Sequence, residues 1–214
     1  MDKPMARRQR RPEARPDEIL DAAMAVFAEA GFAGARVEDI AARAGLSKGA
    51  VYVYFDSKHA MLTALVRRLA DRVVGAAEAL VDAGAAADAE KTLRTLITFI
   101  AVQVSDPQVS AAPRLIIAEA QRFPEIGALY RDVVLARVRR LIARLCALGR
   151  AQGTFRAVEP EVLLRMCGGP MVAQMMLTTV FADPAQPGPS PETIANGIAD
   201  MVLNGLKVRQ EIAA

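Results

Sequence analysis

The chain has 214 residues, 53% hydrophobic and 24% charged, which excludes a disordered protein and allows either one large helical domain or a small module joined to a larger one. The formal charge is only +3, but Lys3, Arg7, Arg8, Arg10, Arg11 and Arg15 face only Asp2 and Glu13 at the N-terminus. Cys146 and Cys167 form no CxxC pair and His59 is the single histidine, so neither a His/Cys metal cluster nor a cofactor is expected.

The basic arm, residues 1–14, fits a polyanionic partner and fits a flexible solvated tail equally well. No apolar segment follows its arginines, so no secretory signal is visible. The longest uncharged run lies between Arg165 and Asp183 and contains Gln174, Pro170 and two threonines. It is short for a bilayer and reads as a buried helix, so no membrane partner and a cytoplasmic location are expected.

The first periodic segment, "RPDEILDAAMAVFAEAGF", has Pro16 and acids in its opening turn. Apolar residues follow at Ile19, Leu20, Ala23, Met24 and Phe27, and Gly31 stops it. "VEDIAARAG" is a short second helix ending at Gly45. The next stretch, Val51 to Phe55, is all β-branched or aromatic and on propensity alone would be a strand. A strand here would have no partner for its backbone groups.

A helix-turn-helix over about residues 38–57 accounts for the same residues better. Ile40 and Ala44 form the inner face of its first helix, and Ala41 is small where the second must cross. Gly45 supplies a left-handed turn, Leu46 plugs it, and Ser47 caps the second helix. At helical spacing Ala50, Val51, Tyr54 and Phe55 face the core, while Lys48, Gly49, Tyr52 and Val53 point outwards. That outward face has the chemistry of a DNA reader: a cation, a glycine allowing close approach, a phenolic hydroxyl, and a small apolar residue for a thymine methyl.

A long helix runs from about Ser57 to Leu80, followed by the small-residue loop "DAGAAADAE". Five more helices are expected at about 89–105, 107–122, 125–152, 159–182 and 190–210, separated by Asp106-Pro107, Phe123-Pro124, Gly153 and "DPAQPGPSP". The fold class is all-α, with about nine helices.

From Ile19 to Leu62, "ILDAAMAVFAEAGFAGARVEDIAARAGLSKGAVYVYFDSKHAML" resembles the TetR family of transcriptional repressors without a gap. The rest resembles that family only in its helix pattern. The resemblance implies a DNA-binding domain over 15–75 and a helical ligand-binding and dimerisation domain over 76–214. It also implies a homodimer whose second motif helices enter successive major grooves of a palindromic operator in double-stranded DNA, and a small-molecule effector that releases it. By position, Ser47, Lys48, Gly49, Ala50, Tyr52 and Val53 approach bases or phosphates, and Tyr54 and Lys58 hold the backbone.

This chain departs from the family at three places. Ala35 and Arg36 replace two hydroxyl residues, so the usual cap of the second helix is lost and Arg36 offers a charge to phosphate instead. Ala50 replaces a frequent hydroxyl. His59 stands where a glutamate would close a capping box with Asp56.

In the larger domain the last two helices carry apolar residues on more than one face, among them Val162, Met166, Val172 and Val180, then Ile194, Ile198, Met201 and Val202. A helix apolar on two sides needs core on one and a partner on the other, so 159–182 and 190–210 are the expected dimer helices. For an apolar ligand pocket the candidates are Met166, Met171, Gln174 and Met175 around Pro170, with Phe99, Gln103, Glu119 and Arg122. A methionine stripe is first of all core, and Glu119–Arg122 at i,i+3 also fits a surface ion pair. Two other functions stand beside the repressor: an all-α enzyme, for which no pair of catalytic groups is found together, and a redox sensor working through Cys146 and Cys167.

Overall fold

The computed structural model describes residues 15–84 and 88–207. Among them the structure is helical, with no strand and one isolated bridge between Phe155 and Lys207. The helices are α1 (Arg15–Gly34), α2 (Val37–Arg43), α3 (Lys48–Tyr52), α4 (Lys58–Leu69), α5 (Gly75–Gly84), α6 (Ala89–Ser105), α7 (Pro107–Glu119), α8 (Pro124–Tyr130), α9 (Ala136–Ala151), α10 (Pro160–Thr179) and α11 (Pro191–Leu206). A π-helical turn, Ala70–Val74, joins α4 to α5, and a second, Arg131–Leu135, joins α8 to α9. Counted as continuous rods these are nine helices among the described residues, as the punctuation of the sequence predicts.

The chain packs as two compact units that divide between Leu65 and Val66. The resemblance implies a boundary at residue 75, whereas this division falls inside an unbroken helix. The basic arm, the loop residues 85–87 and the end of the expected last helix, 208–210, lie outside the described residues.

The first unit is built around Ile19, Phe27, Phe32, Ile40, Val51 and Met61, none of which reaches solvent. Each such side chain contributes roughly 1.5–3 kcal/mol of burial. Helix α1 carries Asp17 and Glu18 in its first turn, where acids complement the helix dipole. It is interrupted at Gly31, whose φ of 69° and ψ of 166° suit only glycine, so the stop read from the sequence is real even though a further turn follows.

In the second unit α6 is central. Its Leu93, Leu96, Ile97 and Ala101 pack with α5, α9, α10 and α11 in one apolar cluster. The helix starts follow from capping: Asp88 accepts from the amides of Glu90 and Lys91 at 2.8 and 3.4 Å, Asp106 from Gln108 at 2.8 Å, and Ser190 from Thr193 at 3.2 Å. Pro107 and Pro191 sit directly after their caps, where the missing N–H costs nothing.

Candidate DNA-reading face and interior cavity

The turn between α2 and α3 closes as the residues require. Gly45 takes φ 65°, and the Leu46 amide reaches back to the Ala41 carbonyl at 2.8 Å, a bond that ends a helix on a left-handed residue. Ser47 caps α3 by accepting from the Ala50 amide at 3.2 Å. Val51 and Phe55 are buried, which anchors the short helix against its own β-leaning propensity. Val53 is 77% exposed and Tyr52 42% exposed, as the helical phase predicts.

Tyr54 departs from that phase. It was expected on the core side, yet it is exposed. The reason is that α3 ends at Tyr52: the amides of Tyr54 and Phe55 both bond the Val51 carbonyl at 3.0 Å, and the chain turns there. Gly49 has no atom within 4 Å of where a Cβ would lie, so no contact within the described fold demands a glycine. Ala50 is half-buried beside it.

The cations of this face differ in freedom. Lys48 Nζ meets Glu38 Oε1 at 2.5 Å and lies 5.8 Å from the Tyr52 ring centre. That hydrogen bond, more than any other influence, lowers the Glu38 carboxyl and raises the Lys48 ammonium from their ordinary values. Both groups are exposed, so the pair is a solvent-screened one that a phosphate can compete for. Arg36 is exposed at the start of α2 and makes no capping hydrogen bond, in line with the expected loss of that cap.

Lys58 plays another part. Its Nζ donates to the carbonyls of Phe32, Ala33 and Ala35 at 2.8, 3.0 and 3.4 Å and lies 4.8 Å from the Phe32 ring centre. All three acceptors lie at the turn after Gly31, a role in the fold that the resemblance does not imply for this lysine. Nor does the cap involve Asp56. Ser57 Oγ accepts from the Ala60 amide at 3.1 Å, and His59 sets its ring edge-on to Phe32, 4.8 Å between centres at 83°.

The second unit holds a partly open cavity of about 540 Å³. Of the residues proposed for a pocket, Met171 and Met175 line it. Phe99, Gln103, Glu119, Arg122, Met166 and Gln174 do not, and each has a local cause. On α6 the cavity stripe is Leu93, Leu96, Ile97, Ile100 and Val104, and Phe99 and Gln103 lie off it by roughly a quarter to a third of a turn. Gln174 is buried but bonds Ser105 Oγ at 3.2 Å. Met166 is exposed on the outer side of α10, and the exposed Arg122 sets its guanidinium 5.5 Å from the Phe123 ring centre. Glu119 is half-buried on α7, where Ile116, Ile117 and Ala120 supply the wall.

The sequence reading missed two sets of lining groups. Both π-helical turns contribute wall, through Val73 and Val74 and through Val134 and Leu135. Such turns occur often at functional sites, but periodicity does not reveal them. Tyr130 also lines the cavity, and it is the one tyrosine outside the helix-turn-helix, which was a usable signal. Beside this wall Arg137 bonds Glu78 twice, at 2.7 and 3.2 Å, and Asp71 at 2.7 Å, tying α9 to α5 and to the first π-helical turn.

Both thiols are poorly placed to react. Burial pushes Cys146 up, and burial with the nearby Cys146 pushes Cys167 up to about 12, so neither forms thiolate readily. Among the described residues no group of His, Cys, Asp and Glu is placed to hold a metal ion, and no helix is long and apolar enough to cross a membrane.

Comparison with known proteins places this geometry in a family. Residues 19–65 match the profile described as bacterial regulatory proteins, tetR family, and residues 86–188 match that of the tetracyclin repressor-like C-terminal domain. Over 84 residues the chain is 38% identical to the HTH-type transcriptional repressor KstR2 of Rhodococcus jostii, a match spanning 39% of this chain and 40% of that relative. It is 26% identical over 205 residues to the HTH-type transcriptional regulator EthR of Mycolicibacterium smegmatis, spanning 95% of this chain and 92% of EthR. A TetR-family transcriptional regulator from Mesorhizobium loti superposes with a TM-score of 0.73 at 25% identity, over 94% of this chain and all of the other. With a capped helix-turn-helix in one unit and matching profiles in both, the chain belongs to the TetR family of bacterial transcriptional regulators.

Proposed function

We propose that this protein is a sequence-specific, DNA-binding transcriptional repressor that an apolar small molecule releases from its operator. The observation that carries the reading is the outer face of α3: Tyr52 and Val53 stand exposed on a helix whose opposite side is locked by Val51, Phe55 and the Ser47 cap. Exposed apolar and aromatic groups on so firmly held a helix suit base edges in a major groove. Arg36, Lys48 and Tyr54 are the phosphate-side candidates, with Lys48 exchanging Glu38 for DNA. Lys58 is not among them.

A homodimer through α10 and α11 is part of this reading. On α10, Val162, Met166, Gly169 and Leu177, with Val180 just after the helix, form an outer stripe at helical spacing opposite the buried Leu163, Met171 and Met175. On α11, Gly197, Met201 and Gly205 do the same opposite Ala195, Ala199 and Leu203. Met201 is 79% exposed and no atom lies within 4 Å of a Cβ at Gly169, Gly197 or Gly205, which leaves the face open for close approach of a second copy. The apolar cavity supplies room for the effector.

The test is DNA selection from a random pool, followed by gel shifts with the selected site. Tyr52→Ala is expected to weaken that site by roughly 1–3 kcal/mol while circular dichroism stays unchanged. Undiminished affinity in a folded Tyr52→Ala protein would overturn the reading of this face. The redox alternative is disfavoured by the raised Cys146 and Cys167 thiols.

A further inference from the structure

We infer that the cavity of the second unit takes a neutral, largely apolar molecule carrying one hydrogen-bonding oxygen, and that the Tyr130 hydroxyl holds that oxygen. This rests on the effector reading proposed above.

Among the described residues no charged side chain lines the cavity. Its polar side chains are those of Ser110, Cys167 and Tyr130. Ser110 Oγ already donates to the Pro107 carbonyl at 3.3 Å within α7. The Cys167 thiol is a weak donor, and burial keeps it protonated. Tyr130 makes no hydrogen bond among the described residues, and no enclosed side-chain nitrogen or oxygen there lacks a partner. Its hydroxyl therefore meets open space rather than packed atoms, and the residue stands on the cavity wall.

Burial also raises the Tyr130 phenol above its ordinary value, so it offers both a donor and an acceptor. The fold gains nothing from that oxygen: it makes no hydrogen bond among the described residues, and phenylalanine would fill the same wall. A ligand ketone, ester or alcohol would supply the missing partner. A carboxylate or phosphate would enter a space with no cation to meet it, and an unpaired charge there is strongly disfavoured. The site thus selects for an oxygen and against a charge.

The experiment uses the full chain at pH 8 and follows displacement of Nile red by 2-decanone, decane and decanoate, in wild type, Tyr130→Phe and Ala120→Leu. Ala120 lines the cavity, so the larger side chain reports whether binding is inside it. In wild type 2-decanone is expected to bind roughly tenfold more tightly than decane and more tightly than decanoate. Tyr130→Phe should erase the ketone's advantage, leave decane affinity unchanged, and leave the melting temperature unchanged or higher. Ala120→Leu should weaken all three. The inference is overturned if the ketone keeps its advantage in Tyr130→Phe, if decanoate binds as well as the ketone, or if ketone and alkane bind wild type equally. In that last case the cavity still binds, and only the role of Tyr130 falls. If none of the probes binds, or Ala120→Leu changes nothing, the effector reading of the cavity fails and takes the inference with it.

Discussion

The two units keep the groups that their folds do not use in opposite places. In the first they stand outside: Tyr52 and Val53 reach solvent from α3, and Gly49 sits in open space. In the second they face inwards, as a partly open cavity walled by aliphatic side chains with one phenol that has no partner among the described residues. A surface that reads a stiff, charged polymer must present rigid groups to water until the polymer arrives. A site for an apolar molecule must instead withhold its wall from water, because removing that surface from water is the driving force for binding.

The difference extends to how closely each region is packed, and a glycine in each unit tests it most severely. A Cβ at Gly149 in α9 would overlap the ring of Phe155, which is itself buried. Gly149→Ala should lower stability by about 1–3 kcal/mol through overpacking, read by thermal or urea unfolding. An unaltered transition would mean that the Phe155 ring can move aside and that the second unit is looser than its core suggests.

Lys58 marks where the first unit is least like a simple display surface. Lys58→Ala removes the donor to the Phe32, Ala33 and Ala35 carbonyls and should cost roughly 1–2 kcal/mol of stability in that unit. Its unfolding transition should shift, while the salt dependence of DNA affinity in the folded variant keeps its slope. A flatter slope with unchanged stability would return Lys58 to the phosphate backbone and remove it from the fold.

The smallest effect is expected at Gly49. With no neighbour near its Cβ position and a helical backbone, Gly49→Ala should raise stability by roughly 0.5 kcal/mol. If DNA approaches the start of α3 closely, the same variant binds the selected site more weakly. Higher stability together with undiminished affinity would show that the glycine serves neither fold nor DNA.

Local chemistry alone was enough for much of this protein. Gly31 could be read as a helix stop and Gly45 as a left-handed turn because only glycine bears a positive φ without strain, and both have it. Ser47, Asp106 and Ser190 could be read as helix starts because their side chains satisfy amides within three residues. The outward direction of Tyr52 and Val53 followed from Ser47 and the helical period. Each inference needed only neighbours along the chain.

The residues that needed the tertiary structure have partners far away in sequence. Lys58 finds its carbonyl acceptors 23 to 26 positions earlier, and Gln174 meets Ser105 across 69 positions. The cavity draws its wall from α4 through α10. Which face of α6 it takes is set by how helices distant in sequence pack around it, α11 among them without contributing to the wall, so Phe99 and Gln103 could not be excluded by periodicity. Tyr130 is the sharpest case. Its hydroxyl makes no hydrogen bond among the described residues, and that becomes visible only when everything around it has been placed.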